Sequence, residues 1–198
     1  MRHARRIAIV PAEAASPKGR GTTWALEHRF SAQHGEPWDD GWGTLDQQAG
    51  EEVLAPQTQI IEERAKSILT GNDSPDIGFD LSINPYRGCE HGCIYCFARP
   101  THSYLNLSPG LDFETRIVAK VNAAERLREA LAQRAYQPLM LNLGSATDAY
   151  QPIERRLRIT RAVVEVLAEC RHAFSLVTKS AGVERDLDLI APMAAHKL

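Results

Sequence analysis

Short apolar runs and segments of helical periodicity alternate along the chain from residue 79 onward. The apolar runs predict β-strands over residues 81–85, 113–121, 138–143 and 173–178. Between them, apolar residues spaced three and four apart predict helices over residues 122–133, 153–170 and 183–191. Strands that alternate with helices in this way usually form parallel βα units with right-handed crossovers, so the pattern predicts an α/β fold.

Several helix boundaries carry local signals. Asn122, followed three residues later by Glu125, predicts a capping box at the start of a helix. Pro192 is expected to end or kink the last helix, because proline lacks an N–H group and clashes with the preceding turn. Upstream of the alternating region, a short helix is predicted over residues 62–69, ended by Gly71.

The first 55 residues lack this alternation and predict a separate arm. Residues 1–20 carry five Lys or Arg and one acid, with little apolar surface, so we expect residues 1–25 to be disordered. The rest of the arm is rich in turn-forming residues, and its Trp38 and Trp42 are expected to dock on the domain. The predicted division is an irregular arm over 1–55 and a core over 56–198.

Composition and net charge limit the range of functions that the chain can have. Hydrophobic residues make up 43% of the chain and charged residues 24%, which is enough apolar surface to bury a core. The formal net charge of −2 argues against a protein that binds nucleic acid through a large excess of positive charge, because in such binding clustered Lys and Arg side chains contact the phosphates. The apolar stretch at residues 7–10 is too short for a signal-peptide core or a membrane span, so we expect a cytoplasmic protein with no membrane partner.

A run of closely spaced cysteines is the strongest candidate for chemistry. In the spacing C-x3-C-x2-C, these residues are Cys89, Cys93 and Cys96. Three thiolates from one short loop can hold three irons of a cubane [4Fe-4S] cluster and leave the fourth iron open for chemistry. Gly88 and Gly92 permit the unusual backbone conformations that wrapping a bulky cluster requires. Tyr95, just before the last cysteine, can shield one face of a ligand on the open iron.

Other uses of these cysteines stay open. A structural zinc site would need a fourth ligand, for which His91 and His102 are the candidates, although zinc sites usually combine two cysteine pairs or a cysteine pair with a histidine pair. The alternative to an enzyme is therefore a non-catalytic metal-binding module, in which the cysteines hold either zinc or a structural iron–sulfur cluster. Disulfides are disfavoured, because the cytosol keeps thiols reduced. Cys170 ends an apolar helical pattern and is expected to be a buried structural thiol.

The cysteine run and its flanks resemble the radical S-adenosylmethionine (SAM) superfamily. The flanks are Ser82–Gly88 before the run and Phe97–Pro100 after it. A second element, Gly144–Glu154, contains Thr-Asp-x-Tyr-Gln-Pro-x-Glu and resembles the branch of DNA repair photolyases related to spore photoproduct lyase. The resemblance covers roughly residues 56–198.

The resemblance implies a partial (β/α)6 barrel of the TIM type, of which this chain would form the N-terminal half. SAM would bind the open iron, while polar groups after the second and third core strands would hold the rest of the molecule. The implied SAM-binding residues are Tyr95, Ser145, Thr147, Asp148, Lys179 and Ser180. A one-electron donor such as flavodoxin or ferredoxin would reduce the cluster, and SAM would be cleaved to methionine and a 5′-deoxyadenosyl radical that takes a hydrogen atom from the substrate.

The resemblance leaves the substrate open, with nucleic acid as a candidate. Spore photoproduct lyase uses a cysteine near the end of the second core strand to return a hydrogen atom to the thymine lesion, and residues 144–148 contain no cysteine. A serine O–H bond is too strong to replace that thiol, which argues against thymine-dimer lyase activity. Because only half of a six-stranded barrel precedes Leu198, we expect a fragment of a longer enzyme, whose exposed sheet edge promotes self-association.

Overall fold

The structure, a computed structural model, describes residues 20–22 and 57–196. Its strands are β1 (Gln59–Glu63), β2 (Leu69–Gly71), β3 (Leu81–Ile83), β4 (Tyr86–Arg87), β5 (Arg116–Lys120), β6 (Leu141–Leu143) and β7 (Phe174–Leu176). Its α-helices are α1 (Leu111–Thr115), α2 (Ala123–Leu131), α3 (Glu154–Leu157), α4 (Ile159–Glu169) and α5 (Leu187–Ala195), and 3₁₀-helices span Arg99–Leu105 and Ala181–Asp186. Among the described residues, no helix is long and apolar enough to cross a membrane. Apart from residues 20–22, the predicted arm lies outside the described residues. The same holds for Trp38, Trp42 and nearly all of the segment expected to be disordered.

Two small sheets organise these elements. The first has the strand order β2-β3-β6-β7, in which β3, β6 and β7 run parallel and β2 is antiparallel to β3. In register, Ile83, Leu143 and Leu176 stand side by side across the three parallel strands. The second sheet has the order β1-β5-β4, in which β1 is parallel and β4 antiparallel to β5. The predicted parallel arrangement of the three core strands is therefore confirmed, and their carboxyl ends meet at one edge.

The described residues form two open sheets, and the partial (β/α)6 barrel stays a prediction. The main core contains buried side chains from β3 and β6, among them Ile83 and Leu141, together with Val163 and Leu167 of α4. Burial of an aliphatic side chain of this size stabilises the fold by roughly 1.5–3 kcal/mol. This packing fixes the positions of the strands, and the candidate site residues lie in the segments directly after them.

The amphipathic segment predicted as one helix over residues 153–170 forms two. Arg158, at a φ of 53°, ends α3 and precedes α4. Buried Glu154 accounts for the break, because its carboxylate accepts hydrogen bonds from the backbone N–H groups of Thr160 (3.0 Å) and Arg161 (3.2 Å) in the first turn of α4. Leu157 of α3 packs, partly buried, against the same core as the buried apolar residues of α4, so the periodicity alone predicts a single helix.

Near the start of the core, strand pairing overrides local signals. The helix predicted over residues 62–69 is wrong: this region contains the end of β1, which pairs with β5, and the start of β2, which pairs with β3. The capping box at Asn122 is also wrong, since no side chain caps the start of α2. The Asn122 side chain instead accepts a hydrogen bond from the Ala65 backbone N–H (2.8 Å) and donates one to its C=O (3.0 Å).

The end of the chain differs in two respects from the sequence predictions. The last helix begins later than predicted, at Leu187, and Pro192 lies inside it rather than at its end. Cys170 is exposed, not buried. Because α4 ends at Glu169 and the chain turns through Arg171 at a φ of 51°, the thiol lies in a surface turn beyond the helix.

We predict that Glu154→Gln destabilises the fold. The Tyr86 hydroxyl, the Arg185 guanidinium and the two α4 backbone N–H groups all donate to the Glu154 carboxylate. A glutamine NH₂ group would face at least one of these buried donors. The mismatch should lower the free energy of unfolding by about 2 kcal/mol, measured by urea denaturation.

The matched control is Glu169→Gln. Glu169 is exposed and pairs with Arg128 at the surface, with 2.8 Å between Oε1 and Nη2. Loss of such a pair should change the free energy of unfolding by less than about 1 kcal/mol. Equal losses in the two variants would contradict the role given to Glu154.

Candidate metal centre

The three candidate ligands lie on one loop, residues 88–96, which follows β3 and β4 and is called the cysteine loop below. Cys89 is buried, while Cys93 and Cys96 are half-buried. Cys89 belongs to a small apolar cluster that includes Phe113, separate from the main core, and Cys96 packs at its margin. The structure therefore presents three thiols on one short segment beyond the carboxyl end of β3.

Two glycines of the cysteine loop have the left-handed backbone that the sequence predicts. Gly88 has a φ of +81° and Gly92 a φ of +62°. A Cβ atom at Gly88 would lie 2.9 Å from both His102 Cε1 and the Phe113 carbonyl oxygen, and one at Gly92 would lie 2.9 Å from Arg20 Cβ. Glycine is required here both by conformation and by space, because the loop backbone is pressed against the rest of the protein.

Arg99 and Glu114 brace the second half of the cysteine loop. The Arg99 guanidinium donates to the carbonyl oxygens of Cys93 and Gly92, each at 2.9 Å, and forms an ion pair with fully buried Glu114. Glu114 also accepts a hydrogen bond from the backbone N–H of Gly21 at 2.8 Å. Carbonyl groups of an irregular loop need such partners when they are buried.

Polar residues after β6 contact the end of β3 and the segment that follows it. Asn84 Nδ2 donates to Ser145 Oγ (3.0 Å), and the Asn84 side-chain oxygen accepts from the backbone N–H of Ala146 (2.8 Å). Buried Thr147 donates its hydroxyl to the Tyr86 carbonyl oxygen at 3.2 Å. The structure thus places Ser145 and Thr147 beside the strand that leads into the cysteine loop.

Asp148 joins the segments after β6 and β7 and lies beside the cysteine loop. Its Oδ1 accepts hydrogen bonds from the Thr178 hydroxyl (2.6 Å) and the Tyr150 backbone N–H (2.8 Å), and its Oδ2 accepts one from the Lys179 backbone N–H (2.8 Å). The same Oδ2 lies 3.3 Å from His91 Nε2 in the cysteine loop. With only 8% of its side chain exposed, Asp148 is occupied in holding these segments together.

Lys179 reaches from the end of β7 to the cysteine loop. Its Nζ lies 3.0 Å from Cys93 Sγ, donates to the Tyr95 hydroxyl and stands 4.6 Å above the centre of the Tyr95 ring. The hydrogen bonds to Tyr95 and Cys93 raise the pKa of Lys179. A positively charged ammonium group therefore lies within hydrogen-bond distance of the Cys93 sulfur.

Cys89 lies in a different environment, where burial raises the pKa of its thiol to about 11. The thiol is therefore neutral at pH 7, and a metal that bound here would have to displace its proton.

Ser180 takes a local role. Its Oγ accepts a hydrogen bond from the Gly182 backbone N–H (3.0 Å) and caps the 3₁₀-helix that begins at Ala181.

The two histidines considered as zinc ligands are directed elsewhere. His91 faces Asp148, and buried His102 has its Nε2 3.0 Å from the carbonyl oxygen of Arg116. Burial lowers the pKa of His102. Within residues 20–22 and 57–196, no three His, Cys, Asp or Glu side chains are arranged to hold one metal ion.

Several polar residues around the cysteine loop have no counterpart in the sequence predictions. They are Arg20, Glu90, Arg99, Glu114 and Gln151. Hydrophobic periodicity carries no information on buried polar side chains outside regular elements. For Glu90, Arg99 and Gln151 a signal existed, because they lie within the segments that carry the resemblance.

The chain resembles several curated proteins of unknown function. It is 40% identical over 171 residues to the uncharacterized proteins Rv2578c of Mycobacterium tuberculosis and Mb2609c of Mycobacterium bovis, and the match covers 82% of this chain and 50% of each relative. It is 30% identical over 131 residues to the uncharacterized protein MJ0683 of Methanocaldococcus jannaschii, covering 66% of this chain and 46% of that protein. The chain thus spans about half the length of the curated relatives it matches. No family model matches the chain, and no solved structure does.

We predict that Asp148→Asn loosens the strand ends. An asparagine oxygen can still accept from Thr178 and Tyr150, but its NH₂ group would then face the Lys179 backbone N–H. This unsatisfied contact should lower the free energy of unfolding by about 1–2 kcal/mol and speed hydrogen exchange at the Lys179 amide, measured by NMR. Asp76→Asn, in the exposed turn between β2 and β3, is the matched control. Unchanged exchange at Lys179 in Asp148→Asn would show that the carboxylate does not join the strand ends.

Proposed function

We propose that this chain belongs to a radical SAM iron–sulfur enzyme in which Cys89, Cys93 and Cys96 bind a [4Fe-4S] cluster. The observation that carries the proposal is the contact of the cysteine loop with side chains from the ends of neighbouring parallel strands, above all the 3.0 Å approach of Lys179 Nζ to Cys93 Sγ. Enzymes with parallel sheets collect their catalytic groups at this edge.

The donor set fits such a cluster. Soft thiolates are the usual ligands of iron–sulfur clusters, and three of them on one loop leave one iron for another ligand. The glycine-shaped backbone of the loop is packed against the protein, and its bracing contacts use none of the cysteine sulfurs. When bound, the cluster would supply the electron that cleaves SAM to methionine and a 5′-deoxyadenosyl radical, which would take a hydrogen atom from the substrate.

Three of the residues implied by the resemblance are proposed to contact SAM. Lys179 carries a positive charge beside Cys93, suited to a carboxylate, and Tyr95 offers an exposed ring next to it. Ser145 accepts a hydrogen bond from Asn84, which leaves the serine O–H able to donate.

The other implied residues are proposed to shape the site rather than to bind SAM. Thr147 donates its hydroxyl to Tyr86, and the Asp148 carboxylate holds donors from two strand ends. Ser180 caps the following 3₁₀-helix. Their polar groups are therefore committed to the fold, and their substitution should affect SAM binding through the shape of the site.

The proposal includes a one-electron donor such as flavodoxin or ferredoxin. Ile94 and Phe97 of the cysteine loop and its flank are 73% and 81% exposed, so the loop is accessible to an external reductant. No contact among the described residues specifies the substrate, and nucleic acid stays a prediction that rests on the resemblance alone.

Anaerobic reconstitution with iron and sulfide tests the proposal. The protein should take up about four irons per chain with matching acid-labile sulfide, and the loaded protein should release 5′-deoxyadenosine from SAM when a chemical reductant is added. Replacing Cys89, Cys93 or Cys96 by Ala should abolish the cluster. Cys170→Ala is the matched control, because its thiol lies in an exposed turn at the end of α4, and this variant should load normally.

The outcomes separate the alternatives. One zinc ion per chain with no labile sulfide would identify a zinc module and overturn the proposal. A loaded cluster that never cleaves SAM would identify a structural iron–sulfur site instead.

A further inference from the structure

Gln151 is a fully buried polar residue beside the cysteine loop, and the proposed chemistry makes no use of it. Its Oε1 accepts a hydrogen bond from the Glu90 backbone N–H at 2.9 Å, and its Nε2 donates one to the Gly88 carbonyl oxygen at 3.2 Å. These two groups belong to the residues on either side of Cys89. One carboxamide therefore bridges the backbone across the buried cysteine.

Neighbouring contacts extend the bridge. The Cys89 backbone N–H donates to the Phe113 carbonyl oxygen at 2.8 Å, on the side of α1. The buried Glu90 carboxylate accepts from the Ile153 backbone N–H and from the Thr58 hydroxyl, the latter at 2.6 Å. The segment around Gln151 thus holds both the backbone and the next side chain of the loop, while Cys89 itself packs in its apolar cluster.

The chemistry of the bridge selects glutamine. A carboxamide offers a donor and an acceptor on the same planar group, as the Gly88 carbonyl and the Glu90 N–H require. A carboxylate of the same size would leave the carbonyl without a donor, and an apolar side chain would leave both peptide groups unpaired. Each unpaired buried group carries a substantial cost. The Gln151 backbone N–H also bonds to the Asp148 carbonyl oxygen at 3.3 Å, so the bridge connects Cys89 to the end of β6.

We propose that Gln151 is the positioning residue of Cys89, which it holds in place before any metal binds. The metal group thereby meets one ligand that is already fixed, and the half-buried Cys93 and Cys96 complete the site. Residues that orient metal ligands from behind typically change metal affinity by about 10–100-fold when they are replaced. The inference rests on the proposed function for the identity of the metal group, whereas the bridge itself is a property of the metal-free chain.

Alkylation of the metal-free, reduced protein tests the bridge. Wild type and Gln151→Met are treated with iodoacetamide, and mass spectrometry follows the labelling of Cys89 and Cys170 in the same molecules. Loss of two buried hydrogen bonds should raise the rate at Cys89 by roughly tenfold and leave the rate at exposed Cys170 unchanged. Gln137→Met, at an exposed position, should behave as wild type.

A variant that is destabilised elsewhere separates positioning from general loss of stability. Leu127→Ala removes a fully buried side chain of α2 that lies in the main core, outside the cluster of Cys89. It should raise the rate at Cys89 far less than Gln151→Met does. If Gln151→Met does not fold, Gln151→Glu keeps an acceptor for the Glu90 N–H and loses only the donor to Gly88. Unchanged labelling of Cys89 in the folded Gln151 variant, or an equal rise in Leu127→Ala, would overturn the proposal.

The loaded protein provides a second readout. After reconstitution, Gln151→Met should lose iron to a chelator on the order of ten times faster than wild type. Equal rates of iron loss would overturn the positioning role. If wild type itself takes up no iron, the proposed function fails, and the alkylation experiment still decides whether Gln151 holds Cys89.

Discussion

The arrangement of the strand ends depends on the hydrogen bonds that the Asp148 carboxylate accepts. It accepts hydrogen bonds from the ends of β6 and β7 and lies beside His91 of the cysteine loop. Parallel strands bring their carboxyl ends to one edge, but they do not fix the irregular segments that follow. A largely buried carboxylate is costly unless its lone pairs are satisfied, and here donors from several segments satisfy it together. Because burying the carboxylate is costly without these donors, the segments that carry the donors have to lie close to Asp148.

The cysteine loop follows the same logic. Its peptide groups have no regular secondary structure to pair with, so side chains from other parts of the chain supply the partners. Arg99 donates to two carbonyl groups in the second half of the loop, and Gln151 pairs with the Gly88 carbonyl and the Glu90 N–H on either side of Cys89. Apolar packing alone could not have done this, because it leaves buried peptide groups unpaired. The loop is braced through its backbone, and these bracing contacts use none of its cysteine sulfurs.

Sequence reasoning succeeded where a pattern has a single physical cause. The parallel order of β3, β6 and β7 follows from alternating apolar runs, and the positive φ of Gly88 and Gly92 follows from the need for a tightly folded loop. It failed where a distant partner decides. Pairing with β5 and β3 places the end of β1 and the start of β2 where a helix was predicted, and Glu154 divides one periodic segment into two helices. The buried polar residues around the site were missed for the same reason, since no local signal predicts which peptide group each one meets.

Cys89 and Cys93, two of the proposed metal ligands, differ in their electrostatic surroundings. In the metal-free chain the Cys89 thiol stays neutral, since burial raises its pKa to about 11 and no charge has to be desolvated. Cys93, further along the same loop, lies 3.0 Å from the Lys179 ammonium. Under the proposed function, the positive charge of the metal group would offset the cost of ionising the buried Cys89 thiol. The proposed cluster would therefore bind one buried thiol whose proton it has to displace and one half-buried thiol that already faces a cation.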